Sequence, residues 1–351
     1  MSITAAIEFI ELSHAAGTRL DLPTLKMMLH QLGDPHQRLK VIHVAGTNGV
    51  VVLEVGLGGL LDATNVIDDP LVAVITPIDI DHVDILGDDL AVIAAHKAGI
   101  IKPLRPVIYH HQAPLVDEVI RTTAKQHQPP AYCLQPHDVI IHTANLKEQI
   151  FDFSHPLHPM SQLTIRMMGS HQTNNASLAL LTIQVLRHHG LLEISDEALA
   201  SGLQQSFWAG RLEILHQSPL VIIDGAHNLQ GAQILQQFLA DHFPDRKIHF
   251  LMGMLNNKDI SGVLNTLMPL GQKLFLTRAT NPKAVNPETL AEQVQLFGKE
   301  VYAIDSMTEA VETALMQTAA DEVLVITGSL YLVGDARTIL LQFLDQQREA
   351  S

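Results

Sequence analysis

From about residue 219 onward, short β-branched runs alternate with stretches of helical pattern, and this rhythm limits the fold more than any other feature. It reads PLVIIDG, a helix to Phe243, KIHFLMG, a helix after Lys258, KLFLT, a helix from Pro287, VYAID, a helix from near Glu309 to Thr318, EVLVITG and a last helix. Strands separated in this way pair in parallel through crossovers of one hand, and the product is an open α/β sheet. A Rossmann-like domain is therefore predicted, with a hinge near GRLEIL, Gly210 to Leu215. Residues 1–213 then form one domain and residues 214–351 a second.

The N-terminal portion is also α/β in pattern. Leu22, Leu25, Leu29 and Leu32 lie on one helical stripe that stops at Gly33-Asp34-Pro35. VIHVAG, VVVLEVG and LVAVIT are apolar at nearly every position, as expected of strands buried on both faces of a parallel sheet. The first of them runs into Gly46, Thr47, Asn48 and Gly49, which has the look of a phosphate-binding loop. Such a loop continues with Gly-Lys-Ser/Thr and a helix, but here Val50 opens another apolar run. Asn48-Gly49 also suits a type I′ turn between antiparallel strands. Parallel neighbours would need a crossover of about a dozen residues or more. The segment thus admits two readings, a hairpin or a lost crossover.

With 351 residues, 47% of them hydrophobic, the chain has material for two domains with separate cores. A net charge of −15 without a lysine or arginine cluster argues against nucleic-acid binding, which needs a basic face. The single cysteine, Cys133, excludes an internal disulfide framework and a multi-cysteine metal site. The twenty histidines include no HExxH pattern and read as solvated or packed side chains. MSITAAIEFIELSHAAG carries Glu8 and Glu11 and no basic start, and runs such as LALLTIQVL are too short to cross a bilayer. A cytoplasmic protein without membrane association is expected.

Six further fragments occur in order: LEVGLGGLLDATNVI, DHVDILGDDLAVIAAHKAGIIKP, GSHQTNNASLAL, WAGRLE, IDGAHN and ITGSLYLVGDAR. Together they resemble the folylpolyglutamate synthase/dihydrofolate synthase family of Mur-type ATP-dependent amide ligases. The resemblance implies a Mur-type P-loop ATPase domain followed by a Rossmann-like glutamate-ligase domain. Members of the family continue the loop as GTNGKGS and carry a long segment before LEVGLGG. By this resemblance the chain has an internal deletion after Gly49.

The resemblance also assigns residues. Thr47, Asn48 and Gly49 are what is left of the ATP phosphate loop. Glu54 and His82 match magnesium ligands; taken alone, Glu54 is a carboxylate in an apolar run, which is costly unless paired. Lys97 matches the lysine that Mur-type ligases carry in carbamylated form. Without the resemblance it is a helix-end lysine complementing the dipole of a helix capped by Asp88. His171, Gln172 and Asn175 open a helix, and ordinary N-terminal capping accounts for such residues; the resemblance puts Asn175 beside adenine and Arg211 near the phosphates. Asp224, His227 and Asn228 end a strand, where ligands bind in open α/β sheets, although a simple Asx turn has the same appearance. The resemblance gives Asp224 and His227 to nucleotide and glutamate, and Ser329 to glutamate. It implies ATP and Mg2+ as cofactors, folate or dihydropteroate and L-glutamate as substrates, and a monomer. Because the P-loop lysine and serine are missing, the alternative is a catalytically inactive relative that binds a ligand or partner.

Overall fold

The computed structural model describes residues 22–31, 34–38, 40–43, 51–80 and 83–349. The chain divides into two compact units, one of residues 1–140, 151–163 and 174–201, the other of residues 141–150, 164–173 and 202–351. Thr47, Asn48, Gly49 and His82, all assigned above by resemblance, lie outside the described residues.

The first unit is built on β1 (Val41–His43), β2 (Val51–Val52), β3 (Val72–Ile75), β4 (Val107–His110) and β5 (Ala131–Leu134), in the order β2-β1-β3-β4-β5. Every neighbouring pair is parallel. Helices Leu90–Ala98 and Pro114–His127 bring Ile93, Ala94, Val116 and Ile120 onto Ala73, Ile75, Val107 and Tyr109 in one core. The predicted leucine stripe forms helix Leu22–Gln31, and its Leu22, Leu25 and Leu29 pack with Val41, Val66 and Ile67.

In the β1–β2 pair, Val41 lies opposite Val51 and Ile42 opposite Val52, with the strands parallel. That arrangement excludes the hairpin, because a two-residue turn joins antiparallel strands. β2 is also shorter than the run VVVLEVG predicts. Beyond Val52 the Asp62 carboxylate accepts hydrogen bonds from Leu57 N–H and Thr64 N–H, each at 2.9 Å, and closes a loop where an extended strand was expected.

Strands β6 (Val139–Ala144), β7 (Gln149–Phe153) and β8 (Met160–Ile165) form a three-stranded sheet in the order β6-β7-β8.

The second unit contains β9 (Glu213–Gln217), β10 (Leu220–Ile223), β11 (Ile248–Met252), β12 (Gly271–Leu276), β13 (Glu300–Ala303) and β14 (Val323–Thr327). Their order is β13-β12-β11-β14-β10-β9, parallel except for β9. Helices Leu229–His242, Ile260–Leu267 and Pro287–Val294 share one core with Ile222, Phe250 and Leu274. Helices Met307–Met316 and Leu330–Glu349 share another with Val221, Ile223 and Leu251, the alternate residues of the same strands. Full burial of each such side chain contributes about 1.5–3 kcal/mol. The helices lie on one face while the chain moves outward from β10 to β13 and on the other when it returns to β14, as a single crossover hand requires. The Gly210–Leu215 segment runs from a turn into β9, an edge strand antiparallel to β10. Among the described residues no helix is long and apolar enough to cross a membrane.

Candidate functional site

In the first unit the loop after β2 is clamped onto the end of helix Leu90–Ala98. Leu60 N–H donates to the His96 carbonyl at 2.8 Å, and the Asn65 amide donates to the Leu60 and Gly99 carbonyls at 2.9 and 3.2 Å. Gly59 permits this approach: its φ is +141°, and a Cβ there would lie 2.8 Å from the His96 oxygen. The helix is capped by Asp89, which accepts from Ala91 N–H, rather than by Asp88. The clamp brings Glu54, Lys97 and Thr76 to the walls of one cavity of about 170 Å3.

Glu54 differs from its sequence reading. β2 stops at Val52, so Glu54 lies past the strand and is exposed; the cost of a carboxylate among apolar neighbours does not arise. Among the described residues no group of three or more His, Cys, Asp and Glu side chains converges on a metal site. Magnesium commonly takes one or two carboxylates and keeps several waters. An exposed carboxylate on the wall of a cavity fits an ion completed by water and phosphate oxygens.

In the second unit Arg211, Asp224, His227 and Ser329 gather at the carboxyl ends of β10 and β14. Asp224 accepts from Leu212 N–H through one oxygen and from Ala226 N–H through the other, both at 2.9 Å. Burial raises its pKa above the usual carboxylate value, while the two N–H bonds and the Arg211 guanidinium oppose the rise. Gly328 N–H to Ala226 O at 2.9 Å and Asp224 N–H to Ile326 O at 3.0 Å tie the Asp224–Ala226 turn to β14. His227 Nδ1 lies 2.7 Å from the Gly225 carbonyl. A carbonyl only accepts, so Nδ1 carries a proton and donates it in this contact. Ser329 is buried, and its hydroxyl accepts from Tyr331 N–H at 3.3 Å at the start of helix Leu330–Glu349.

Arg211 is held in a sharp turn, Gly210 at φ +71° and Leu212 at φ +47°. Glu213 fixes the turn by accepting Gly210 N–H at 2.8 Å, and Glu213 is itself gripped by Arg337 at 2.9 and 3.0 Å. Asn175 belongs to the first unit, on the exposed side of helix Ser170–His188. Thr173 does act locally there, donating its hydroxyl to the Ser170 carbonyl at 2.6 Å.

The second unit also contains a cavity of about 370 Å3, lined in part by Gln149, His171, Gln233, Ile234, Phe238 and His242. The Gln149 amide nitrogen donates to the Met167 and Gly169 carbonyls at 2.7 and 2.9 Å. Among the described residues Gln149 Oε1 and His171 Nδ1, both buried, have no hydrogen-bond partner. Sequence reasoning took His171 for part of a helix start and passed over Gln149, which carries no motif signal; only the fold brings them together.

Burial, helped by the Arg211 guanidinium, pushes the His171 pKa down from its usual 6.5 to about 4. The unfolded chain then binds the extra proton more readily. Stability from this group is complete above about pH 6.5 and is lost as pH falls toward about 4. His171→Asn is expected to flatten that part of the stability–pH profile, measured by urea unfolding; a slope unchanged by the substitution would contradict the assignment.

The comparisons with known proteins extend this geometry. The pattern of the Mur ligase middle domain matches residues 28–183, and that of the Mur ligase glutamate ligase domain matches residues 210–330. Folylpolyglutamate synthase from Mycobacterium tuberculosis, solved with ADP, is 32% identical, covers 83% of this chain and 68% of its own, and superposes with a TM-score of 0.75. The chain belongs to the folylpolyglutamate synthase/dihydrofolate synthase family. Escherichia coli FolC, solved with DHPP and ADP, is 30% identical over 85% of this chain and 67% of its own, with a TM-score of 0.70. The dihydrofolate synthase/folylpolyglutamate synthase of Bacillus subtilis is 32% identical over 82% of this chain and 66% of its own length. The chain thus spans about two thirds of the length of the curated relatives it matches. Its family membership carries the Mur-type architecture expected from the sequence: an ATPase-type domain followed by a ligase domain.

Proposed function

We propose that this chain descends from, and retains most of the machinery of, an ATP-dependent ligase that adds L-glutamate to folate or dihydropteroate, working as a cytoplasmic monomer. The observation that carries this reading is the gathering of Arg211, Asp224 and His227 at the carboxyl ends of β10 and β14, where open α/β sheets bind ligands. The relatives solved with ADP and with DHPP supply the ligand classes.

In this reading a substrate carboxylate oxygen attacks the γ-phosphorus of ATP and ADP leaves. The glutamate amine then attacks the acyl carbon of the mixed anhydride, losing a proton as inorganic phosphate departs. Arg211 places a guanidinium against the phosphates, a geometry suited to bidentate contact. The cavity bounded by Gln149 and His171 takes the base: Gln149 Oε1 accepts an exocyclic N–H, and Ile234 and Phe238 supply the apolar surface. Asp224 holds the turn that presents His227, whose ring accepts a proton from the incoming amine, with Ser329 completing the glutamate contacts. Glu54, with His82 and a carbamylated Lys97, would hold magnesium, which neutralises phosphate charge when bound.

Titration with ADP tests the nucleotide half of this proposal. Arg211→Ala is expected to weaken binding by about tenfold to a hundredfold, the range for a charged hydrogen bond. ADP affinity indifferent to that substitution would sink it. The second reading, an inactive ligand-binding relative, is favoured by Val50 standing where the family continues with its lysine.

A further inference from the structure

The first unit holds another cavity, which the proposed chemistry does not use. It measures about 230 Å3 and is lined by Leu157, His158, Gln184, Arg187 and His188. His158 lies in the connection from β7 to β8, and Gln184, Arg187 and His188 lie in the last turns of helix Ser170–His188. Gln184 is only 2% exposed. Among the described residues neither its amide nitrogen nor its amide oxygen has a hydrogen-bond partner. A buried amide unpaired at both ends is rare in folded proteins and costly to keep.

The charged neighbours are held in place around it. Asp196 accepts from Arg187 Nη1 at 2.5 Å through one oxygen and lies 2.8 Å from His158 Nε2 through the other. A guanidinium has five N–H donors, so the contact to Asp196 leaves Arg187 further donors. The wall therefore offers, side by side, an amide donor, an amide acceptor and a guanidinium that is itself bonded to Asp196.

We propose that this cavity binds a free α-amino acid, its carboxylate accepting from Gln184 Nε2 and Arg187, and its ammonium donating to Gln184 Oε1. The choice follows from complementarity. A simple anion would satisfy the amide nitrogen and leave Oε1 facing negative charge. A simple cation would satisfy Oε1 and face Arg187. A zwitterion with both groups on one carbon pairs both ends of the amide, and its carboxylate faces the Arg187 guanidinium. The site is independent of the proposed ligase reaction and of the glutamate contacts assigned to His227 and Ser329.

Calorimetric titration of the whole chain with glycine, L-glutamine and L-glutamate tests it, with N-acetylglycine and glycinamide as controls that lack the ammonium or the carboxylate. Saturable binding of free amino acids is expected, weakened at least about tenfold by Gln184→Leu, roughly one tenfold step per 1.4 kcal/mol lost. It should persist in His227→Ala, which separates it from any glutamate bound in the second unit. Gln184→Leu is close in volume and removes an unpaired amide, so the variant should melt no lower than the parent. Should the variant fold poorly, proton shifts of the His158 and His188 rings in the unaltered protein serve instead, and they should move on titration with glycine. No uptake of any free amino acid at about 10 mM, well above a millimolar dissociation constant, would overturn the proposal. So would binding by Gln184→Leu equal to the parent's, controls that bind as well as glycine, or ring shifts that stay fixed.

Discussion

Insertion of a family-type Gly-Lys-Gly-Ser crossover between Gly49 and Val50 is expected to raise ATP-dependent glutamate addition by at least about a hundredfold over the chain as it stands. Phosphoryl transfer relies on positioning and on neutralising the charge of the transferred group, with little covalent work left to the protein. A P-loop lysine and a magnesium-binding hydroxyl supply much of that neutralisation. Removing a single preorganised donor of this kind typically costs about a hundredfold to a thousandfold, and here both are absent from the sequence. The parallel pairing of Val41 with Val51 and Ile42 with Val52 is compatible with such an insertion, because β1 and β2 already stand in the relation that a crossover would give them. The assay is release of ADP dependent on both glutamate and a folate or dihydropteroate acceptor. Equal rates in the two chains would show that the missing lysine is not what limits this protein. An intact mass above 38.5 kDa for the protein from its own cell would show that the crossover is present in the natural product.

The alternating strands and helices of the second unit were legible because β10, β11 and β14 are apolar at almost every position and the helices begin or end on recognisable signals, such as Asn228, Asp259 or Pro287. β9 was not legible: it is half-buried at Ile214 and Leu215 and follows directly on a functional motif, so its pattern reads equally well as a linker. The parallel sense of β1 and β2 could not be read either, since two apolar runs flanking Asn-Gly satisfy a hairpin as well as a sheet. Among residues named from dense motifs, Asp224 and His227 share a turn, and Glu54 and Lys97 line one cavity. What escaped were partners contributed from far along the chain. Arg337 meets Glu213 across a separation of 124 residues, and Gln149 meets His171 through the carbonyls of Met167 and Gly169. Such contacts depend on tertiary placement and leave no local pattern. Taken alone, Glu54 read as a carboxylate inside an apolar run, whereas it lies exposed beyond the end of β2.

Arg337→Met is expected to destabilise the protein by about 2–3 kcal/mol and, in the same variant, to weaken nucleotide binding. The Glu213 side chain is 8% exposed and that of Arg337 is 31% exposed. Breaking a fully buried pair by removing one partner costs about 3–5 kcal/mol, and the partial exposure of Arg337 lowers the figure. The substitution leaves the Glu213 carboxylate in a buried position without its charge partner, held only by the Gly210 N–H bond and driven to find water. The consequence reaches Arg211 because Gly210, Arg211 and Leu212 form one strained turn, and Glu213 is the acceptor that fixes its first residue. A carboxylate released from Arg337 would move toward solvent and draw that acceptor away. Glu213→Met combined with Arg337→Met should recover much of the stability, since two apolar groups of similar size replace the pair without leaving a lone charge, yet it should not recover nucleotide affinity, because Gly210 N–H would then have no acceptor. Urea unfolding and ADP titration of the three variants separate these effects. A double variant as unstable as Arg337→Met would show that the pair is more than a charge held in balance. Recovery of ADP affinity in the double variant would show that the turn holds its shape without Glu213.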